Sequence, residues 1–248
     1  MQRENAAATL PAGAVQIRVP ALRLGLALIH PQSRVLSTLS ARHQLAEGFD
    51  RAVFVRATLS GDGEAASGLV PGAPNVVRSR MEGREGDLLH RPRQRVRIVV
   101  AQPEPVLRKL GERLQVHLFA LGLDAEFDVL QPNDFERALF EGPYDIVLLG
   151  WTPAQPRGGN IEEATRVRHI LDSLLEPILG DQLPESWRDI VEGREAASES
   201  QLLESGHLIP LIFFHETWQV SDNLVGVRPG RITTDLGVSA AHLEPGIP

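Results

Sequence analysis

GPYDIVLLGWTP, running from Gly142 to Pro153, is the stretch whose reading decides the fold. Ile146 to Leu149 are consecutively apolar, with Tyr144 just upstream, the pattern of a strand buried on both faces. Such strands occur mainly in parallel sheets covered by helices, and open sheets of that kind bind ligands outside the carboxyl ends of their strands. Trp151 stands at that end, so it marks a candidate ligand wall. Its plain alternative is an aromatic that closes the end of the sheet.

Working upstream, VRIVVA (Val96 to Ala101) reads as a strand. Leu107, Leu110, Leu114, Leu118 and Leu121 then recur three or four apart, a helical stripe, and Gly122 supplies a C-cap. AEFDVL (Ala125 to Leu130) alternates as a strand, Asn133 or Asp134 can cap a short helix, and Glu141-Gly142-Pro143 stops it. The result is strand-helix-strand-helix-strand in about 55 residues, two crossover units sharing their middle strand.

Further out, VQIRV and ALRLGLALI (Val15 to Ile29) read as strands, and Ser40 to Leu59 as one or two helices with Ala46, Phe49, Val53 and Phe54 as packing positions. Residues 60 to 95 are rich in Gly, Pro and charge and read as a long surface excursion. Downstream, Ile161 to Leu179 and Glu185 to Ser205 read as helices, and Leu208 to Phe214 as a buried strand. The sequence has no internal repeat.

The 248 residues, 42% hydrophobic and 23% charged, suffice for one sizeable domain or two small ones. A net charge of -7 with interspersed signs leaves no basic face, which argues against nucleic acid as a partner. The absence of cysteine removes disulfides, Cys-based zinc sites and thiol catalysis. No apolar run approaches the roughly 20 residues that span a bilayer. MQRENAAATLPAG lacks a secretory signal, so as written the chain is not expected to leave by that route.

Catalytic motifs fail on inspection. Gly61-Asp62-Gly63-Glu64-Ala65-Ala66 has the glycines of a dinucleotide turn, but a helix precedes it where the motif needs a strand, so no cofactor is expected. His215-Glu216 begins like a zinc-protease helix, yet position 219 is Gln, and no metal site is expected. The eight histidines lie far apart and read as satisfied or solvated. Glu162 with Glu163, and Asp134 with Glu136, answer a helix dipole as readily as they would do acid/base work. An α/β enzyme with its site around Gln102, Asn133 and Trp151 would need an acid/base pair that the sequence does not display, so the expectation is a protein that is not an enzyme.

Four stretches, taken in order, resemble the C-terminal half of the bacterial extracellular solute-binding proteins of family 5, the dipeptide, oligopeptide and nickel receptors of ABC importers. Ala41 to Arg51 is similar to the family's "vRqAlayaiDR" helix, and Gly61 to Pro74 to the loop that follows it. Leu107 to Leu130 resembles the "a..iq..l..iGi.v.l" segment. Tyr144-Asp145 to Trp151 resembles "fDl...gW", with Leu208-Ile209-Pro210-Leu211 like the late "piiPl" strand. The likeness runs across residues 15 to 230.

The resemblance implies an α/β fold, the C-terminal lobe of a type II periplasmic-binding-protein-like clamshell, with the N-terminal lobe missing. It divides the chain into 1–35, hinge strands and a remnant of the first lobe; 36–207, the C-terminal lobe; and 208–248, the return strand and tail. It implies non-covalent capture of a small-molecule or peptide ligand for an ABC permease, with Leu148, Trp151, Thr152 and Ala154 at the site. It places the protein in the periplasm or at the cell surface, or in the cytoplasm if this signal-less chain is the whole product. Peptide-binding members often carry Asp three residues after the tryptophan and sometimes Arg three before it; here those positions are Ala154 and Leu148. A zwitterionic peptide end would leave its charges unpaired there. The second expectation is a half-receptor that does not transport and acts as an intracellular interaction or sensing domain, docked to a partner chain that completes the cleft.

Overall fold

The computed structural model describes residues 14–71, 94–102, 104–152, 162–221, 224–225 and 242–243, with side chains placed between Arg23 and His215. It divides into two units. One comprises residues 23–214, and the other residues 1–22 with 215–248; both boundaries fall inside strands. In the smaller unit, β7 (Leu224–Val225) pairs antiparallel with β8 (His242–Leu243).

The larger unit is built on a mixed sheet in the order β2-β6-β1-β5-β3-β4. Its parallel part is the stretch expected from the alternation of strand and helix patterns: β3 (Arg95–Ala101), α3 (Pro105–Ala120), β4 (Asp124–Leu130), α4 (Pro132–Glu141) and β5 (Ile146–Trp151). β3 lies between β4 and β5 and is parallel to both. Val15 to Ile29 forms one long strand, β1 (Ala14–Ile29), which pairs antiparallel with β5. β6 (Leu208–Ser221) lies beside β1, and the short β2 (Gly63–Ala65) closes the edge against Ile212 to Phe214 of β6. Gly63 is required there: a Cβ would sit 2.5 Å from the Phe213 carbonyl oxygen. The glycine pattern at 61–63 therefore serves a close strand contact.

Alternation along the central strands separates two apolar faces. Ala27, Ile29, Val96, Ile98, Val100, Ile146 and Leu148 share a core with the α3 stripe Leu107, Leu110, Leu114 and Leu118, and with Phe49 and Phe54 of the α1 (Leu39–Gly48) and α2 (Arg51–Thr58) corner. The alternate positions Leu24, Leu26, Leu28, Val147 and Leu149 are buried on the opposite face. That face carries the helical layer of α5 (Glu163–Ile170), α6 (Glu176–Leu179), α7 (Glu185–Val191) and α8 (Glu199–Glu204), whose Val167, Ile170, Trp187, Ile190 and Leu202 are fully buried.

Three helices differ from the sequence reading. The single helix expected over 161–179 is α5 and α6 joined by a π turn, Leu171–Leu175. Pro177 lacks an N–H for the Ser173 carbonyl and its ring crowds that carbonyl, which the wider turn relieves. The helix expected over 185–205 breaks after Val191 at the Glu192-Gly193 turn, and Ser198 restarts it by accepting a hydrogen bond from Gln201 N. α4 starts at Pro132, before the expected Asn133 or Asp134 cap, because proline fits the first helical position; Asp134 instead pairs with Arg137 at 2.7 Å. Of the surface excursion, Leu69 is buried and its N–H donates to Glu199 Oε1 at 2.7 Å, while residues 72–93 lie outside the described residues.

Candidate functional site

β3 and β4 end level, with Ala101 paired to Leu130, and β5 runs on to Trp151 beside Leu24 of β1. Beyond the strand ends Gln102 N–H donates to the Leu130 carbonyl at 2.8 Å, and Gln131 Nε2 donates to Gln102 Oε1 at 2.7 Å. Asn133 is exposed in the first turn of α4. Gln102, Asn133 and Trp151 thus lie at the same end of the sheet. Among the described residues no group of three or more His, Cys, Asp or Glu side chains could hold a metal ion.

Position 151 is three residues past 148, an odd step, so the two side chains fall on opposite faces of β5. Leu148 is 1% exposed within the α3-side core. Trp151 is 5% exposed on the other face, its ring centroid 6.0 Å from that of His169 on α5 and tilted by 44°. Its indole Nε1–H is buried and has no hydrogen-bond partner among the described residues. Thr152, the next residue, is half-buried, and Ala154 lies outside the described residues. His169, which reads from sequence as one more satisfied or solvated histidine, lies beside Trp151. No local spacing signals that neighbour.

The α3 side of the same sheet end carries a charge pair. Arg23 of β1 binds Glu104 at 2.9 Å and reaches the Gly150 carbonyl at 3.4 Å. Gly150 makes room for the guanidinium: a Cβ there would lie 2.4 Å from Arg23 Nε. Glu104 directly precedes α3, so the pair ties β1 and β5 to the start of that helix.

A concavity of about 390 Å³ is lined by Arg97, Leu130, Asp134, Arg137, Glu141 and Gly142, and the tryptophan is not part of it. Its charges are largely engaged. Arg97 Nε pairs with Asp128 at 2.8 Å and Nη1 donates to the Pro143 carbonyl, while Arg137 holds Asp134. His215, which the zinc-helix reading would place on a helix, lies in β6.

Comparison with known proteins places this architecture. No protein-family model matches the chain, and no curated protein does. Solved structures match it along almost its whole length. The peptide-bound periplasmic binding protein DppA from Helicobacter pylori, associated with an ABC transporter, superposes with a TM-score of 0.65 at 12% identity over 95% of this chain. The Escherichia coli murein tripeptide binding protein MppA gives 0.64 at 14% over 95%, and NikA from Brucella suis, in complex with Fe(III)-EDTA, 0.60 at 13% over 94%. The fold is half of a type II periplasmic binding protein. The chain spans about half the length of these matches, 50%, 50% and 53% in the same order. The matched structures are binding proteins rather than enzymes, and among the described residues no helix is long and apolar enough to cross a membrane.

Proposed function

We propose that this half-clamshell binds a small solute non-covalently at the carboxyl end of β5, as the solute-binding, peptide-type component of an ABC importer. The observation that carries the reading is the conjunction of the shared fold with Trp151, a large aromatic with an unsatisfied donor at the strand end where open α/β sheets hold ligands. Thr152 and His169 flank it, and Ala154 is assigned to the same site from the sequence. Leu148 supports the site from beneath, as the core position that fixes β5. The proposal assigns no reaction to the site.

The matched structures are about twice as long as the stretch they share with this chain. The reading therefore includes a second surface, on further sequence or on a partner chain, that completes the cleft and meets the permease. Action in the periplasm or at the cell surface belongs to the same proposal.

A thermal-shift screen against peptides, amino acids, sugars and metal chelates tests it. A ligand bound only by the folded state stabilises by RT ln(1 + [L]/Kd), about 2.7 kcal/mol at a hundredfold excess over Kd. The expected result is a saturable rise with one class that Trp151→Ala abolishes and His169→Ala weakens, each measured against its own unliganded baseline. No rise with any class from a well-folded chain would overturn the proposal.

A further inference from the structure

Glu199 opens α8 and is 3% exposed, a carboxyl group deep in the helical layer that the proposed solute site does not use. Its Oε1 accepts the Leu69 N–H at 2.7 Å, and its own N–H donates to Glu163 Oε1 of α5, also at 2.7 Å. One residue thus joins three segments far apart in sequence: residues 66–69, the first turn of α5 and the first turn of α8. Residues 66–69 are fixed at both ends. Ala66 N–H donates to the Leu211 carbonyl of β6 at 3.1 Å, and Leu69, whose side chain is fully buried, is held at its backbone by Glu199.

The surroundings set how this group answers a proton. Burial is the main influence and resists ionisation; the Leu69 N–H and then Arg166 of α5 favour the charged form, and Glu163 opposes it, leaving the carboxyl group above its ordinary 4.5. Residues 66–71 carry no charge, and Glu204 is exposed at the far end of α8. On α7, which packs against α8 through Trp187 and Leu202, Arg188 donates to the Asp181 carbonyl, Asp189 pairs with Arg194 at 2.6 Å, and Glu185 acts on the same arginine.

We propose that Glu199 is a proton-tightened latch, which fastens residues 66–69 onto the starts of α5 and α8 and holds them more firmly once it takes up a proton from solvent. When the segment lifts away, Glu199 regains water and its ordinary acidity, so the seated segment binds the proton more tightly than the lifted one. That part of the seating is fully present below the ordinary 4.5 and is lost as pH rises through the higher value of the seated state. The same helix α5 carries His169 beside Trp151, so the latch also fixes the start of the helix that borders the proposed site. It operates whether or not a solute binds there.

Hydrogen exchange at the Leu69 amide of the full chain reads the latch, each rate being divided by the intrinsic rate at the same pH. Glu199→Gln keeps an acceptor and cannot ionise. At about pH 7.5 the wild-type amide is expected to exchange at least about threefold faster than that of Glu199→Gln, and the gap is expected to close as pH falls to about 4. His207 titrates in the same window in both chains, so its effect cancels in their ratio. Glu163→Gln keeps the acceptor for the Glu199 N–H and removes the opposing charge, so it should narrow the gap. Glu199→Ala, which leaves the Leu69 N–H without its acceptor, should speed exchange about tenfold at either pH. A wild-type amide no faster than that of Glu199→Gln at about pH 7.5, or a gap that does not change down to about pH 4, would overturn the proton's part. Wild-type protection in Glu199→Ala would overturn the latch itself. The Glu199→Gln comparison stands even where Glu199→Ala does not fold.

Discussion

The surroundings of Trp187 and of Trp151 show the same side chain in two states of completion. The Trp187 indole bonds Leu202, its ring meets that of His207 in a T-shaped contact with centroids 6.2 Å apart, and His207 Nδ1 is 3.1 Å from the Ile29 carbonyl. Nearby Arg42, only 8% exposed, donates to the carbonyls of Ser205, Leu36 and Ser37. Around Trp151 burial is nearly as deep, yet the donor is left over. Saturated polar groups hold an architecture together, while an unsaturated one at a strand end is available to something from outside. The Tyr144 hydroxyl, at the opposite end of β5, is likewise buried without a partner, but its ring is covered edge-on by His30 at 4.9 Å.

The contrast can be broken by substitution. The largest expected effect is Trp187→Ala, which empties a fully buried ring site and should cost about 4 kcal/mol in urea unfolding of the larger unit. A loss under about 1 kcal/mol would mean that the helical layer does not depend on Trp187.

Acid should act next, and on the same region. Burial, followed by the Arg42 charge and then by His30, pushes the His207 imidazole down from 6.5 to about 4, against the opposing pull of its bond to Ile29. The folded state therefore favours neutral His207. Its contribution is fully present above the unfolded value near 6.5 and is lost as pH falls toward 4. The loss is on the order of 3 kcal/mol, read from urea midpoints across that window, and His207→Gln should flatten it. An unchanged slope in His207→Gln would contradict this account of the ring.

The paired substitutions Trp187→Phe and Trp151→Phe sharpen the comparison. Each removes the same ring volume, but only the first breaks a hydrogen bond inside the protein. Trp187→Phe should cost about 2 to 3 kcal/mol and Trp151→Phe about 1, so the difference isolates the bond. Equal costs would mean that Trp151 Nε1 is satisfied within the folded chain. The smallest effect belongs to Glu104→Gln, which breaks a pair whose side chains are each about a quarter exposed and should cost about 0.5 kcal/mol while leaving ligand affinity unchanged.

Much of the fold was readable in the chain because its periodicities are clean. The continuous apolar run at 146–149 and the three-and-four spacing of Leu107 to Leu118 become β5 and α3, and Gly142-Pro143 stops α4 before β5. The sheet order was not readable, since nothing in the composition of Val15 to Ile29 shows that β1 runs antiparallel beside β5. Nor was the π turn, which depends on how Pro177 meets Ser173 in a packed helix. At the site, the odd spacing from 148 to 151 already implies opposite faces of one strand. The neighbourhood of His169 and the fate of each indole N–H belong to tertiary packing, which sequence spacing does not encode.

The most direct test of the central claim is a crystal structure of the chain with whichever compound stabilises it in the thermal screen. The account predicts ligand density against the Trp151 ring, with an oxygen within hydrogen-bond distance of Nε1. Density in the cavity lined by Arg97, Arg137 and Glu141, with the tryptophan uncontacted, would contradict it.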